Sequence, residues 1–447
     1  MESVGLRPGP RYARPGMAVL VAALAVELVD ELVGGTQSAA MPLIRHDLAL
    51  SYLQIGLLGA VPLIVGSLVE LPFGVISGTG RRRRRFILAG GLAFIASVLG
   101  VGLSGSFVAL LIALVAFFPA SGVFVSLTQS ALMDAAPDRR AQHMGRWTLA
   151  GSVGAVAGPL LLAVVLAAGG TWRLAFVLIA ACSATAWLAV ERTSRAKRGS
   201  GAAPGRPPAD AASPGPSQRA SVVPLPTGTD ARDPGWPGWR AAASIIRRSG
   251  ALRWLLLLEV ADLMLDVLTA FLALYLVATT HAAPSAAALA VAARLGAGLG
   301  GDVMVIRLLA RHSSLRVLRV SGWLTIPLFP AFLLAPGLGP KLVVLAAVTV
   351  ATAPWYPVLK AELYGSLPDR SGLAVSLGSA AGLAGGLGPL AIGILAQRFG
   401  LTAALAPLCV VPAVMLAVLA LPRARQCRQE GRGDQAGHGG PAAGQLN

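Results

Sequence analysis

The chain has 447 residues, 55% of them hydrophobic and only 13% charged, with a mean hydropathy of +0.70. A soluble globular protein carries about twice that charged fraction, and an outer-membrane barrel shows short alternating segments, so both classes are excluded in favour of a polytopic all-α membrane protein. The net charge of +17 does not imply nucleic acid, because the basic residues are placed as membrane topology places them.

Residues 1–16 form a basic cytoplasmic arm, and the first apolar run covers 17–40. That run contains "VELVDELVGG", which puts Glu27, Asp30 and Glu31 where lipid-spanning residues belong. It is too long and too acidic for a signal-peptide core, so the first helix is expected to stay as an anchor. Runs at 52–78, 86–104, 107–132, 147–168 and 173–191 predict five more helices, closing a six-helix bundle over 17–191.

Residues 192–250 are rich in Pro, Ala, Gly, Ser and Arg and predict a flexible cytoplasmic linker. Its end, "WRAAASIIRRSG", suits a short amphipathic helix on the anionic leaflet. A second six-helix bundle over 251–421 follows from runs at 252–279, 285–308, 317–336, 341–363, 372–396 and 401–421, with a disordered tail over 422–447. Cys182, Cys409 and Cys427 match no metal or disulfide spacing.

Most of the 37 Lys and Arg fall in the N-terminus, alternate loops, the linker or the tail. The exceptions are Arg45, Arg173, Lys341 and Arg398 in the intervening loops, and Arg294 and Lys360 within helices. This positive-inside pattern predicts cytoplasmic termini and a multi-pass protein of the inner (plasma) membrane.

The chain repeats itself. Sliding it by 232 residues superposes Glu27 on Glu259, Asp30 on Asp262 and Glu70 on Asp302. Sliding by 231 superposes "AAPDRR" (135–140) on "SLPDRS" (366–371), and by 230 Gly158-Pro159 on Gly388-Pro389. Two parallel six-helix repeats place a substrate site between them near the membrane midplane.

On these features the chain resembles the major facilitator superfamily over nearly its whole length, which implies twelve transmembrane helices as two six-helix pseudo-repeats. The stretch "AMPLIRHDLALSYLQIGLL" (40–58), with Asp30 before it, is similar to the start of fosmidomycin-resistance-type efflux proteins. The superfamily's loop G-x-x-x-D-R-x-G-R-R appears as "GVISGTGRRR", with Gly78 and Thr79 in place of the Asp and Arg, while Arg81 and Arg82 keep the loop basic. "GAVAGP" (Gly154, Gly158, Pro159) resembles the G-x-x-x-G-P core of antiporters, with Gly388 and Pro389 as its second copy. Close helix packing through small residues is the competing explanation.

Acids in the predicted helices are Glu27, Asp30, Glu31, Glu70, Glu259, Asp262, Asp266, Asp302 and Glu362. Each costs about 2.5–3.5 kcal/mol at a helix centre, so they should face a cavity or a partner. Spacings of i, i+3, i+4 for Glu27, Asp30, Glu31 and of i, i+3, i+7 for Glu259, Asp262, Asp266 put each set on one helix face. The family resemblance implies that helices 1 and 7 line a central cavity from opposite sides, so the two faces are expected to confront one another. Such a set cannot all be ionised at once and would exchange protons as a coupled group. Asp266 has no counterpart, since Gly34 aligns with it, and this marks an asymmetry between substrate and proton binding.

Glu70 and Asp302 lie towards the cytoplasmic ends of their helices, close to Arg-rich loops, and are expected as structural ion pairs in preference to substrate ligands; with Arg81 and Arg82 they are placed at a cytoplasmic gate or loop. Glu31 faces either the cavity or elsewhere. Arg294, Lys360 and Glu362 are candidate charge partners in the cavity. Arg294 and Lys360 either neutralise a carboxylate or contact substrate, and Lys360 and Glu362 stand too close in sequence to share a helical face.

The acidic balance within the helices favours a neutral or cationic small molecule over the phosphonate antibiotic exported by the fosmidomycin-resistance family. A proton-coupled exporter of such a molecule is the leading expectation, with the chain as a functional monomer in the lipid bilayer, no cofactor, no bound metal and no nucleic acid. A carrier of a hard cation (Mg²⁺, Mn²⁺, Ca²⁺ or Na⁺) is the alternative. Softer metals are disfavoured because His46, His143, His281, His312 and His438 all fall in predicted loops or the tail. A membrane sensor would need an ordered output domain. No motif for an enzyme is found: there is no H-E-x-x-H and no phosphate-binding glycine loop after a strand.

Overall fold

The computed structural model describes residues 16–76, 81–135, 140–199, 250–366 and 385–421. Its first half holds α1 (Met17–Asp47), α2 (Tyr52–Ile76), α3 (Arg81–Leu103), α4 (Phe107–Ser121), α5 (Leu127–Ala135), α6 (Arg140–Ala167) and α7 (Trp172–Gly199). Its second half opens with α8 (Ala251–Asp262), α9 (Leu268–Thr280), α10 (Pro284–Leu309) and α11 (Ser314–Leu334). It closes with α12 (Leu338–Thr352), α13 (Trp355–Gly365), α14 (Leu387–Leu405) and α15 (Val411–Ala420). No strand occurs among the described residues.

Local chemistry explains the breaks. The Ser106 hydroxyl accepts from the Ala109 N–H at 3.3 Å and starts α4, and Pro284 opens α10, where its missing N–H costs nothing. Two spans contain a π turn: Gly122–Ser126 joins α4 to α5, and Leu263–Val267 joins α8 to α9. Ala353-Pro354 separates α12 from α13, as a residue without a backbone donor does.

Among the described residues, ten helical segments are long and apolar enough to cross a bilayer. α1, of 31 residues, is also long enough, although its carboxylates lower its hydropathy. The last segment, Leu387–Ala420, has 34 residues; as one helix it would run about 51 Å, far beyond a hydrocarbon core of about 30 Å. It is broken at Gly400, whose φ of +82° lies in the left-handed region that favours glycine. Counted with that break and with α1, the described residues hold all or part of twelve membrane helices in two sets of six.

Small residues set the packing within each half. Gly154 and Gly158 of α6 lie against the backbone of α1; a Cβ on Gly158 would stand 2.7 Å from the Thr36 nitrogen. Gly388 holds the matching place in the second half, where a Cβ would meet Leu263 at 2.7 Å and Val267 at 3.1 Å. Each glycine thus packs on the first membrane helix of its own half, which is the sequence repeat expressed in three dimensions. Between the halves, α6 packs on α10, α1 on α9 and α10, and α2 on α14.

At the end of the bundle that carries residues 48–51, α2 and α14 close tightly. The Tyr52 N–H donates to Gln397 Oε1 at 2.9 Å, and Pro389 packs on Gly56 and Gly59.

Several expected boundaries shift. α1 continues through Pro42 to Asp47, and α7 runs to Gly199, past the expected start of the linker at 192. Arg45, Arg173, Lys341 and Arg398, expected in loops, lie in helices, and so do His46 and His143. The reason is common to all: the helices run on past the apolar stretch by a turn or two, where polar side chains can snorkel or find partners. Residues 200–249 and 422–447, the bulk of the expected linker and tail, lie outside the described residues.

Candidate functional site

Between the halves lies a cavity of about 670 Å³. Its charged lining is Glu31 from α1, Asp266 from the π turn, and Arg294 and Asp302 from α10. Ser38, Ser152, Thr269, Thr349 and Thr352 add neutral polar groups, and Phe118 and Tyr356 add rings. Gly34, the sequence counterpart of Asp266, lines the same space. The two positions are equivalent, but only one half supplies a charge there.

Glu31 and Asp266 are both exposed to this cavity and lie within Coulombic reach of each other. Arg294 is over nine-tenths buried, and it spans from α10 to the π turn. One of its terminal nitrogens donates to the Thr269 hydroxyl and the other to the Leu265 carbonyl at 3.0 Å. Its Nε has no hydrogen-bond partner, and it makes no direct ion pair among the described residues, although Asp266 lies within Coulombic reach. Wide i→i+5 turns free backbone groups for such side-chain bonds and recur at functional sites.

The four duplicated acids do not line the cavity. Glu27 turns towards α6, where it lies near Trp147 and fills the space beside Gly151. Asp30 accepts from the Ser121 hydroxyl at 2.7 Å, immediately before the first π turn. In the second half Glu259 lies beside Gly385, and Asp262 lies within Coulombic reach of Lys360 on α13. Each half therefore repeats one arrangement, with its first acid against its fifth membrane helix and its second acid against its fourth. The expected confrontation across the cavity is made by Glu31 and Asp266 instead.

The remaining candidates disperse. Lys360 donates to the hydroxyl of Tyr356, which lines the cavity. Glu362 is half-buried and is not part of the lining. Asp302 faces the cavity and makes no ion pair among the described residues. Arg82 lies 5.9 Å from the Phe86 ring centroid. The side chains of Glu70 and Arg81 lie outside what is described.

Two groups expected in loops are instead buried in helices. Lys341 is buried and donates to the Tyr275 hydroxyl at 2.8 Å and to the carbonyls of Phe332 and Leu333 at 3.1 and 3.0 Å. Those carbonyls close the end of α11, where an ammonium suits the helix dipole. His143 is buried in α6 with Nδ1 unpartnered.

Two six-helix halves around a central polar cavity define a membrane transporter of the alternating-access type. Residues 23–352 match the Major Facilitator Superfamily, and the chain belongs to that family. Among solved structures it is similar to a bacterial homolog of the human lysosomal transporter Spinster in an inward-facing, unoccupied conformation. That likeness has a TM-score of 0.65 at 18% identity and covers 90% of this chain and 93% of that one. It is also similar to the nucleoside transporter NupG, with a TM-score of 0.64 at 11% identity, covering 90% of this chain and 96% of that one. No curated protein sequence matches the chain.

Proposed function

We propose that this transporter is a proton-coupled efflux carrier for a small neutral or cationic organic molecule, an antiporter of the inner membrane with both termini cytoplasmic. The observation that carries the reading is the pair Glu31 and Asp266, one carboxylate from each half, facing a single cavity. Their repulsion in a low-dielectric space is relieved equally by a proton or by a cationic cargo, so the two compete for one place. Competition of that kind is antiport. The tightly closed end, with Tyr52 on Gln397, is then the external one, and the cavity opens towards the Arg-rich cytoplasmic side.

A cavity of about 670 Å³ is the size of drug-like ligand sites. A carrier of a hard inorganic cation is less well supported. Among the described residues no three acidic, His or Cys side chains gather as metal ligands would.

The test is uptake of tetraphenylphosphonium into inside-out proteoliposomes under an imposed pH gradient. Wild type should accumulate it against its concentration gradient, and Asp266→Asn should lose at least about tenfold of that driven uptake. Accumulation by Asp266→Asn that still follows the pH gradient as in wild type would overturn the reading.

A further inference from the structure

The acids of the cavity occupy two separate places. Glu31 and Asp266 form the inner one, together with Arg294, whose terminal nitrogens bond Leu265 and Thr269 on either side of Asp266. The guanidinium offsets one carboxylate, while Asp30 lies within Coulombic reach of Glu31 and Glu259 and Asp262 within reach of Asp266, so the inner place stays net negative. Asp302 forms the outer place, eight residues further along α10, about 12 Å of helix rise towards the Arg-rich end. Among the described residues Asp302 makes no ion pair, whereas Glu31 and Asp266 share the cavity within Coulombic reach.

Between the two places the residues that line the cavity are neutral, with Lys360 behind them on the Tyr356 hydroxyl. Leu295, Gly298 and Leu299 lie on α10 between Arg294 and Asp302, and Thr349, Thr352 and Tyr356 line the cavity beside them. Gly298 leaves open space there, since a Cβ would meet only a Thr349 methyl at 3.9 Å.

We infer that the cavity selects an organic dication, an elongated molecule whose two cationic centres lie on the order of 10 Å apart along α10. One centre sits between Glu31 and Asp266, the other at Asp302, and the apolar spacer lies over Gly298 and Leu299 towards Tyr356. A single cation satisfies only one place, and a compact dication cannot reach both. The inference rests on the cationic-cargo reading and adds to it the number and spacing of charges.

The experiment is calorimetric binding to the full chain in detergent, with α,ω-bis(trimethylammonium) alkanes from butane to dodecane. Each is paired with the alkyltrimethylammonium of the same chain length. The octane or nonane dication should bind at least about tenfold tighter than its monocation, with the advantage falling away at both ends of the series. Asp302→Asn should bring that dication down to the affinity of its monocation. Equal affinities across all pairs, or an advantage that survives Asp302→Asn, would overturn the inference while leaving the cationic-cargo reading in place. If neither the monocations nor the dications bind wild type, the cationic-cargo reading itself fails.

Discussion

Gly56 of α2 and Gly393 of α14 meet across the two halves with no room for a side chain on either. A Cβ on Gly393 would stand 2.8 Å from the Gly56 Cα and 2.7 Å from the Tyr52 carbonyl oxygen. Alternating access requires this end of the molecule to close and open in turn. Gly393→Leu should prop it open, because the clash is with backbone and cannot be relieved by a rotamer change. The expected outcome is loss of transport by tenfold or more with cargo binding retained, and raised accessibility of a cysteine placed at Ser38, read by maleimide labelling on whole cells. Wild-type transport by Gly393→Leu would show that this contact is not part of the cycle.

At the same end, Asp47, beyond the apolar part of α1, ties three helices of the first half. It forms an ion pair with Arg173 and accepts from the Trp172 indole at 3.1 Å, while Arg173 also donates to the Ser104 carbonyl at 3.0 Å. The Arg173 hydrogen bond, helped by Trp172, holds the Asp47 carboxyl below the usual aspartate range. A depressed folded value means that the contribution is present above the ordinary value of about 3.9 and is lost as pH falls through the folded one. Side-chain exposures of 34% and 42% keep it small, about 0.5 kcal/mol. Asp47→Asn should therefore lower the melting temperature slightly at pH 7, and the gap from wild type should narrow as the pH falls below the ordinary aspartate value. A gap that widens on acidification would contradict the assignment.

Lys341 caps α11 rather than serving the cavity. Removing it leaves the buried Phe332 carbonyl without that donor and the Leu333 carbonyl with only the Tyr275 hydroxyl, a cost of about 1–3 kcal/mol. Lys341→Met should lower thermal stability by that amount, measured in detergent, while transport per folded molecule keeps its cargo preference. A change of preference with unchanged stability would place the lysine in the transport path.

The repeat was the most legible feature of the sequence, and it was legible because it is chemical. Acids and Gly-Pro pairs are rare in apolar helices, so Glu27 with Glu259, Asp30 with Asp262 and Gly158 with Gly388 stood out against a uniform background. Which way those acids turn was not legible. A regular helix puts Glu259, Asp262 and Asp266 on one stripe, but the π turn at Leu263–Val267 is wider and swings Asp266 off it into the cavity. No sequence pattern announces such a turn. Lys341 and His143 were misplaced because an apolar run marks the hydrocarbon core and not the helix, which continues into the interface. Thr349, Thr352 and Ser152 line the cavity without any signal, since isolated hydroxyls in a membrane helix usually bond their own backbone, as Thr349 does to Leu345 at 2.8 Å.

If cargo and protons compete for the carboxylates of Glu31 and Asp266, adding tetraphenylphosphonium to the purified protein in weakly buffered detergent near neutral pH should release protons that can be counted. Wild type should release them, the Glu31→Gln, Asp266→Asn double variant should not, and the Glu362→Gln control should release as wild type does. Saturable binding of the cation to wild type with no proton released at any pH between 5 and 9 would contradict that competition.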